Sequence, residues 1–238
     1  MKNVILILLF IPLSLFSQDK DAKYFNDYAI DSLWSVDDRL AIEYLNNLGI
    51  SVESLFFIDD KPHTKKINGH LVLEYKDFIK IDADNKLISL AISDSYMRKI
   101  LAKKCSLDKV KLWNLSALNS LILNEVFLSD GYILRHFSTI GPNVKIGKHF
   151  ILGMYSYISH DCIVGDYVTV APGAMCNGNV TIESFVYIGS GAVIKQGTSE
   201  NPITIGRGAI IGMGAVVTKS VRSGVTMVGN PARPLGTL

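Results

Sequence analysis

The sequence predicts two architectures in tandem: an α/β domain with a small parallel sheet, followed by a parallel β-helix of hexapeptide repeats. Three observations carry this reading. Apolar residues recur every sixth position over roughly the last hundred residues, a short fixed period that marks stacked coils. The position four after each of them is also small or apolar. Upstream, short apolar runs alternate with helical spacing, as in α/β folds.

At the N-terminus, Met1-Lys2-Asn3 precedes Val4 to Phe16, which is apolar except for Ser14 and includes Pro12. Two readings stand. With Ser17-Gln18-Asp19 behind it, the stretch fits a secretory signal over residues 1–17. Alternatively, Val4 to Phe10 is the buried first strand of the α/β domain. It is too short for a transmembrane helix. Residues 19–37 show no clear period. Asp37 to Leu45 reads as a capped helix ending near Gly49. Val52 to Ile58 reads as a strand running into Asp59-Asp60, and Ile67 to Val72 as a turn and short strand. Leu87 to Ile92 reads as a buried strand, Ser95 to Cys105 as a basic amphipathic helix, and Val110 to Leu112 as a further strand.

From Ile140 the repeat runs through Ile146, Leu152, Ile158, Val164, Val170, Cys176, Ile182, Ile188 and Ile194. It jumps eleven to Ile205, resumes at Ile211 and Val217, and jumps eleven again to Val228. Six residues make one strand and one corner, and three such units close a triangular coil. Coils stack at the strand-pairing spacing of about 4.8 Å. The repeat residue points inward. The residue four later, such as Val144, Phe150, Ser156, Cys162 or Val168, fills the inner corner. Glycine follows many repeat residues, including Gly141, Gly147, Gly153 and Gly189, and is expected to let the backbone turn. An ordinary sandwich would show period two instead. Ser199-Glu200-Asn201-Pro202 reads as a loop leaving one corner.

Bulk properties narrow the function. The chain of 238 residues is 48% hydrophobic with net charge +2, and its mean hydropathy is +0.27. That excludes general disorder. No dense Lys/Arg tract is present, so nucleic acid is not an expected partner. Of three cysteines, Cys162 and Cys176 take inward positions and read as small core hydrophobes; with Cys105 they make no disulfide framework and no metal site. His160 lies two after Ile158, at a turn position whose side chain points outward. His63, His70, His136 and His149 are expected at the surface. Asn177 and Asn179 read as turn residues.

The hexapeptide register, Ser159-His160-Asp161-Cys162 and the closing Val228-Gly229-Asn230-Pro231-Ala232-Arg233-Pro234 together resemble the left-handed β-helix acyltransferases. The branch that acetylates nucleotide-linked amino sugars or sialic acids is the closer match. Phe57-Ile58-Asp59-Asp60, Asn68-Gly69 and Ala91-Ile92-Ser93-Asp94 through Arg98 resemble the landmarks of its first domain. The resemblance implies a degenerate Rossmann-like sugar-nucleotide-binding domain over residues 1–120, with Asp59, Asp60 and Ser93 at the substrate. It implies a left-handed β-helix acyltransferase domain over residues 121–238. It also implies a homotrimer with acetyl-CoA between neighbouring prisms, near Thr169, Ser190, Gly191, Met213 and Gly214. His160 would be the general base and Asp161 would orient it and raise its basicity. Backbone N–H groups at the coil corners would hold the thioester oxygen. No metal is required. Thr169 stands where many members carry a second histidine. No glycine-rich turn follows Val4 to Phe10, where the family binds nucleotide phosphates. The expected reaction is N-acetylation of a nucleotide-linked amino-deoxy-sugar for surface polysaccharide, in the cytoplasm. The alternatives are O-acetylation of a sialic-acid-type sugar, or an exported non-catalytic β-helix scaffold.

Overall fold

The computed structural model describes residues 4–9, 40–43, 45–47, 49, 51–59, 64–83 and 85–236, with backbone alone at 4–9. Ser17-Gln18-Asp19 at the end of the alternative secretory signal, the 19–37 stretch, the cap at Asp37, His63 and Asp60 lie outside the described residues. The chain divides into two compact units. One gathers residues 1–92 and 101–115, the other residues 93–100 and 116–238.

The first unit is built on a sheet whose central strand is Val4–Leu9. Parallel neighbours flank it: Leu6 pairs with Leu55 on one side and with Leu87 on the other. Strand order runs outward in both directions from this first strand, to His70–Leu73 and to Lys111–Leu112. The two neighbours therefore diverge at a topological switch point, the place where open α/β sheets accept ligands at their carboxyl ends. Asp59 follows the strand Leu55–Ile58 at that end and is buried. The Asn68-Gly69 turn closes an antiparallel hairpin between Lys66–Ile67 and His70–Leu73. Both turn residues have positive φ, 48° and 88°, the conformation that Asn-Gly favours.

Two expectations shift here, and one element is new. Val52–Ser54 is a 3-10 turn, with Ser51 Oγ accepting from the Glu53 N–H, so the strand begins at Leu55. The strand expected over Leu87 to Ile92 spans Asn85–Ser89 instead. A short helix at Tyr75–Lys80 buries Tyr75 and Phe78; six residues are too few to show a helical period.

The second unit is a three-sided left-handed prism. Strands pair in parallel register along each face, eighteen residues apart until the corner loop after Ile194 lengthens the step. Ile140 pairs with Ile158, Ile158 with Cys176, Cys176 with Ile194, and Ile194 with Val217. The inward columns and the positions four later form one continuous core, with Val144, Phe150, Cys162, Val168, Ala174, Ala192, Ala209 and Ala215 all fully buried. Burying one such aliphatic side chain contributes about 1.5–3 kcal/mol. The eleven-residue step after Ile194 carries the expected corner loop, closed by reciprocal Thr198 and Asn201 backbone hydrogen bonds of 3.2 Å.

Two features of the register differ from expectation. In the last coil Ile211 pairs with Met227, and Met227 packs on the core, so the inward position is Met227 and not Val228. Val228 instead pairs with Arg233 of an antiparallel closing strand. The glycines after the repeat residues are also not there for a left-handed turn. The residues with positive φ lie three after each repeat residue: Asn143, His149, Tyr155, Asp161, Tyr167, Asn179 and Phe185. At Gly141 a Cβ would instead fall 2.8 Å from the Ser159 carbonyl carbon of the next coil. Close approach of stacked backbones is what requires glycine there.

The helix Ser95–Leu107 begins with an Asp94 Oδ1 cap on the Met97 N–H at 2.7 Å. Its first turn belongs to the prism. Tyr96 stacks on Phe185 at 4.8 Å, and Phe185, Tyr167 and His149 continue the stack along one corner. His149 is thereby buried rather than at the surface as expected, its ring lying over the bare Gly131.

Candidate active site

The Tyr157–Ile158 strand puts Ile158 in the core and carries the chain outward through Ser159 to His160. The His160 side chain is 40% exposed, as its place in the repeat required. Its Nδ1 lies 2.7 Å from Asp161 Oδ2. Asp161 adopts left-handed backbone, φ 55°, which turns its carboxylate back along the corner toward the imidazole. The other carboxylate oxygen accepts from Asn143 Nδ2, one coil earlier, at 3.1 Å. These two hydrogen bonds, that of His160 first, hold the Asp161 carboxyl below its usual range. A carboxylate on Nδ1 assigns the proton of the neutral ring to that nitrogen. Nε2 then keeps its lone pair, and it meets no hydrogen-bond partner among the described residues. The backbone of this turn is fixed from both sides. Asp161 N–H donates to the Pro142 carbonyl, and the His160 carbonyl accepts from Asn179 N–H, each at 3.1 Å. The arrangement can accept a proton from a group brought to Nε2 and hold the resulting charge against Asp161.

Ser190, Gly191, Met213 and Gly214 come together at a different corner, on successive coils. Gly214 N–H donates to the Ser190 carbonyl at 2.9 Å. Gly191 and Gly214 have positive φ and open space where a Cβ would stand, and Met213 is 73% exposed. The corner is accessible and uncluttered. Between it and the His160 corner runs the face whose outward residues include Tyr157, Met175 and Val193.

Thr169 is placed elsewhere. It is buried, donating to the Ser93 carbonyl at 3.0 Å and accepting from Arg98 Nη1 at 2.9 Å. Its hydroxyl is thus committed inside the protomer and not displayed to a coenzyme. Arg98 is itself fully buried, its guanidinium also donating to the Tyr167 and Ser93 carbonyls. Burial pulls it down to about 9. Ser93 therefore works through its carbonyl as an anchor for the helix start. Asp59 sits in the first unit, at the sheet edge described above. Sequence reasoning missed Asn143. The signal that could have found it is its spacing, eighteen residues before Asp161, which places the two on one corner of adjacent coils.

The turn asparagines have structural partners. Asn177 accepts from Tyr157 Oη at 2.9 Å and donates to the Ile194 carbonyl at 2.8 Å. Cys162 and Cys176 are buried free thiols beneath the same turn. Among the described residues, no cluster of three or more His, Cys, Asp or Glu could hold a metal. No helix among them is long and apolar enough to cross a membrane.

Comparisons with known proteins bear on the fold and the family. Residues 143–178 match the family model described as bacterial transferase hexapeptide (six repeats). The chain is 47% identical over 182 residues to a GDP-perosamine N-acetyltransferase of Escherichia coli O157:H7, covering 76% of this chain and 82% of that one. Among solved structures, WeeI from Acinetobacter baumannii AYE superimposes with a TM-score of 0.84 at 42% identity, covering 98% of this chain and all of that one, 100%. The acetyltransferase domain of PglB from Neisseria gonorrhoeae FA1090, in complex with acetyl coenzyme A, shares the fold at 22% identity and a TM-score of 0.78, over 98% of this chain and 100% of its own. With a repeat built to the hexapeptide pattern and relatives matched at this identity and coverage, the chain belongs to the hexapeptide-repeat acyltransferases, in their sugar acetyltransferase branch, and is an enzyme.

Proposed function

We propose that the enzyme transfers the acetyl group of acetyl-CoA to the amino group of a nucleotide-linked amino-deoxy-sugar of the GDP-perosamine kind. The observation that carries this reading is the His160–Asp161 pair, with Nδ1 held by the carboxylate and Nε2 open to solvent. The 47% identity to a GDP-perosamine N-acetyltransferase supports the sugar class.

The chemistry follows from that pair. The neutral amine of the sugar attacks the thioester carbonyl carbon, forming the new C–N bond. His160 Nε2 takes the proton that the nitrogen sheds. The C–S bond then breaks, and the coenzyme thiolate leaves with that proton, giving the amide and free thiol. Asp161 keeps Nε2 aimed and offsets the charge of the imidazolium while it lasts. General-base help of this kind contributes about 10²- to 10⁴-fold.

Ser190, Gly191, Met213 and Gly214 are the proposed coenzyme contacts, and the exposed Lys195 and Lys219 suit its phosphates. Because the coenzyme corner and the His160 corner lie on different edges of one prism, we read the working site as shared between protomers of a homotrimer. Asp59, at the carboxyl edge of the parallel sheet, is the proposed sugar-nucleotide contact in the first unit. A cytoplasmic setting follows from the supply of acetyl-CoA.

The test is to follow free thiol release from acetyl-CoA with GDP-perosamine and other nucleotide-linked amino sugars as acceptors. The His160→Ala protein should lose at least about 10²-fold in turnover while keeping its fold and assembly. Undiminished turnover in that variant would overturn the assignment.

A further inference from the structure

We infer that Asn143 and Gly178 are positioning residues for His160, one fixing its carboxylate partner and the other providing the floor on which the ring lies. The inference rests on the reading of His160 as the base and names the parts of the fold that aim it.

The three coils involved are consecutive. Asn143, Asp161 and Asn179 occupy the same corner position on successive coils, all with left-handed backbone, φ 58°, 55° and 55°. A side chain leaving such a corner points along the surface toward the neighbouring rungs. Asn143 Nδ2 therefore reaches Asp161 Oδ1 at 3.1 Å, while Asp161 Oδ2 is taken by His160 Nδ1 at 2.7 Å. An exposed aspartate holding one partner can rotate about its two side-chain torsions. Held at both oxygens, it is locked in the rotamer that serves the imidazole. An amide donor is well suited here, because it gives the carboxylate a hydrogen bond without a positive charge that would compete for it.

Gly178 lies eighteen residues after His160, on the next coil. A Cβ built there would come within 2.3 Å of His160 Cε1, 2.4 Å of Nε2 and 2.8 Å of Nδ1. The imidazole thus occupies the space where residue 178 would carry its side chain. No left-handed φ requires glycine at this position. The space for the ring does. Asn179 N–H, donating to the His160 carbonyl at 3.1 Å, ties the same two coils together. The ring is accordingly confined from below by Gly178 and from the side by the Asn143-supported carboxylate.

The experiment is a double-mutant cycle with a separate floor variant, assayed as acetyl transfer from acetyl-CoA to GDP-perosamine. Asn143→Gly and Asp161→Gly are chosen because glycine keeps the left-handed backbone without strain. Asn143→Gly should lower kcat about tenfold, as misaimed catalytic groups do, with both KM values unchanged. By NMR, the Asp161 carboxyl should titrate at higher pH than in the parent, since one of the two hydrogen bonds holding it down is gone. In the Asp161→Gly background the same change should cause no further loss, because Asn143 acts only through that carboxylate. Gly178→Ala should fold and melt like the parent, since a mobile ring and not backbone yields to the methyl, yet lose kcat by about tenfold or more. Parental kcat in Asn143→Gly, or its full loss repeated in the Asp161→Gly background, overturns the role of Asn143. Parental kcat in Gly178→Ala overturns the floor. A His160→Ala protein that still turns over removes the underlying reading, a result that none of the other variants can produce.

Discussion

At the scale of single residues, the prism discriminates between two demands that both select glycine. At Gly191 and Gly214 the backbone itself is left-handed, φ 66° and 63°, with free space around the absent Cβ. At Gly153 the backbone is ordinary, but a Cβ would fall 2.5 Å from Pro172 N and 2.6 Å from the Ala171 carbonyl carbon. Those are main-chain atoms of the next coil and cannot swing aside. Gly153→Ala should therefore lower stability by about 1–3 kcal/mol, the usual effect of forcing extra volume into a packed interior. The fall would appear in thermal or denaturant melts. A melt matching the parent would show that the coils can separate locally, against the register described above. The same residue-level view explains why Thr169 is unsuited to the coenzyme. A β-branched hydroxyl on an outward strand position is at liberty to bind a ligand only where nothing covers it, and Arg98 with the Ser93 carbonyl cover it here.

At the scale of elements, the corner columns carry information that no single repeat contains. His149, Tyr167 and Phe185 stack at 4.9 and 5.3 Å along one corner, and Tyr96 from the helix start adds a fourth ring. Burial, with Arg98 and Lys148 adding repulsion against partial help from Asp166 and Asp130, pulls His149 down to about 4. Its Nδ1 has no partner among the described residues that could reward protonation. The folded protein thus binds fewer protons than the unfolded chain, whose histidine titrates near 6.5. Stability at this site is level above that value and falls as pH drops toward 4, by an amount on the order of 2–3 kcal/mol. His149→Phe keeps a ring that the same column already accepts at Phe185. It should flatten this acid-side slope in denaturant melts between pH 4 and 6.5, while leaving stability at pH 8 nearly unchanged. An unaltered slope would show that the ring is not held neutral by its surroundings. The six-residue period, the inward columns and the outward aim of His160 were all legible in the sequence, because each is set by neighbours at fixed spacing. The stack was not, since Tyr96 reaches it from outside the repeat. Nor was the burial of His149, nor the Met227 register, which depends on how the last loop returns. Within the site, Asp161 came with the Ser159-His160-Asp161-Cys162 motif of the resemblance, whereas Asn143 is a neighbour only after the chain has gone once around the prism.

At the scale of the whole molecule, the geometry sets a condition on assembly. The open imidazole and the bare corner proposed for the coenzyme belong to different edges of one prism, separated by a face that exposes Met175. If a neighbouring copy supplies the missing edge, each working site takes its base from one protomer and its coenzyme contacts from another, and damage to the two can be separated. His160→Ala protomers lack the base but keep an intact corner. Ser190→Trp protomers keep the base but block the corner with a ring too large for it. Each variant alone should be inactive in acetyl transfer. When the two are unfolded together and refolded at equal amounts, the proposed cyclic trimer would assemble them at random. A site is then intact whenever a Ser190→Trp protomer donates the base to the corner of a His160→Ala protomer. That arises for about one site in four, so the mixture should recover roughly a quarter of parental turnover, with KM for acetyl-CoA as in the parent. A site contained within one protomer allows no such rescue, because every chain in the mixture carries a defect. A mixture as inactive as its components, with trimers confirmed by mass, would place the whole reaction on a single prism and remove the shared site.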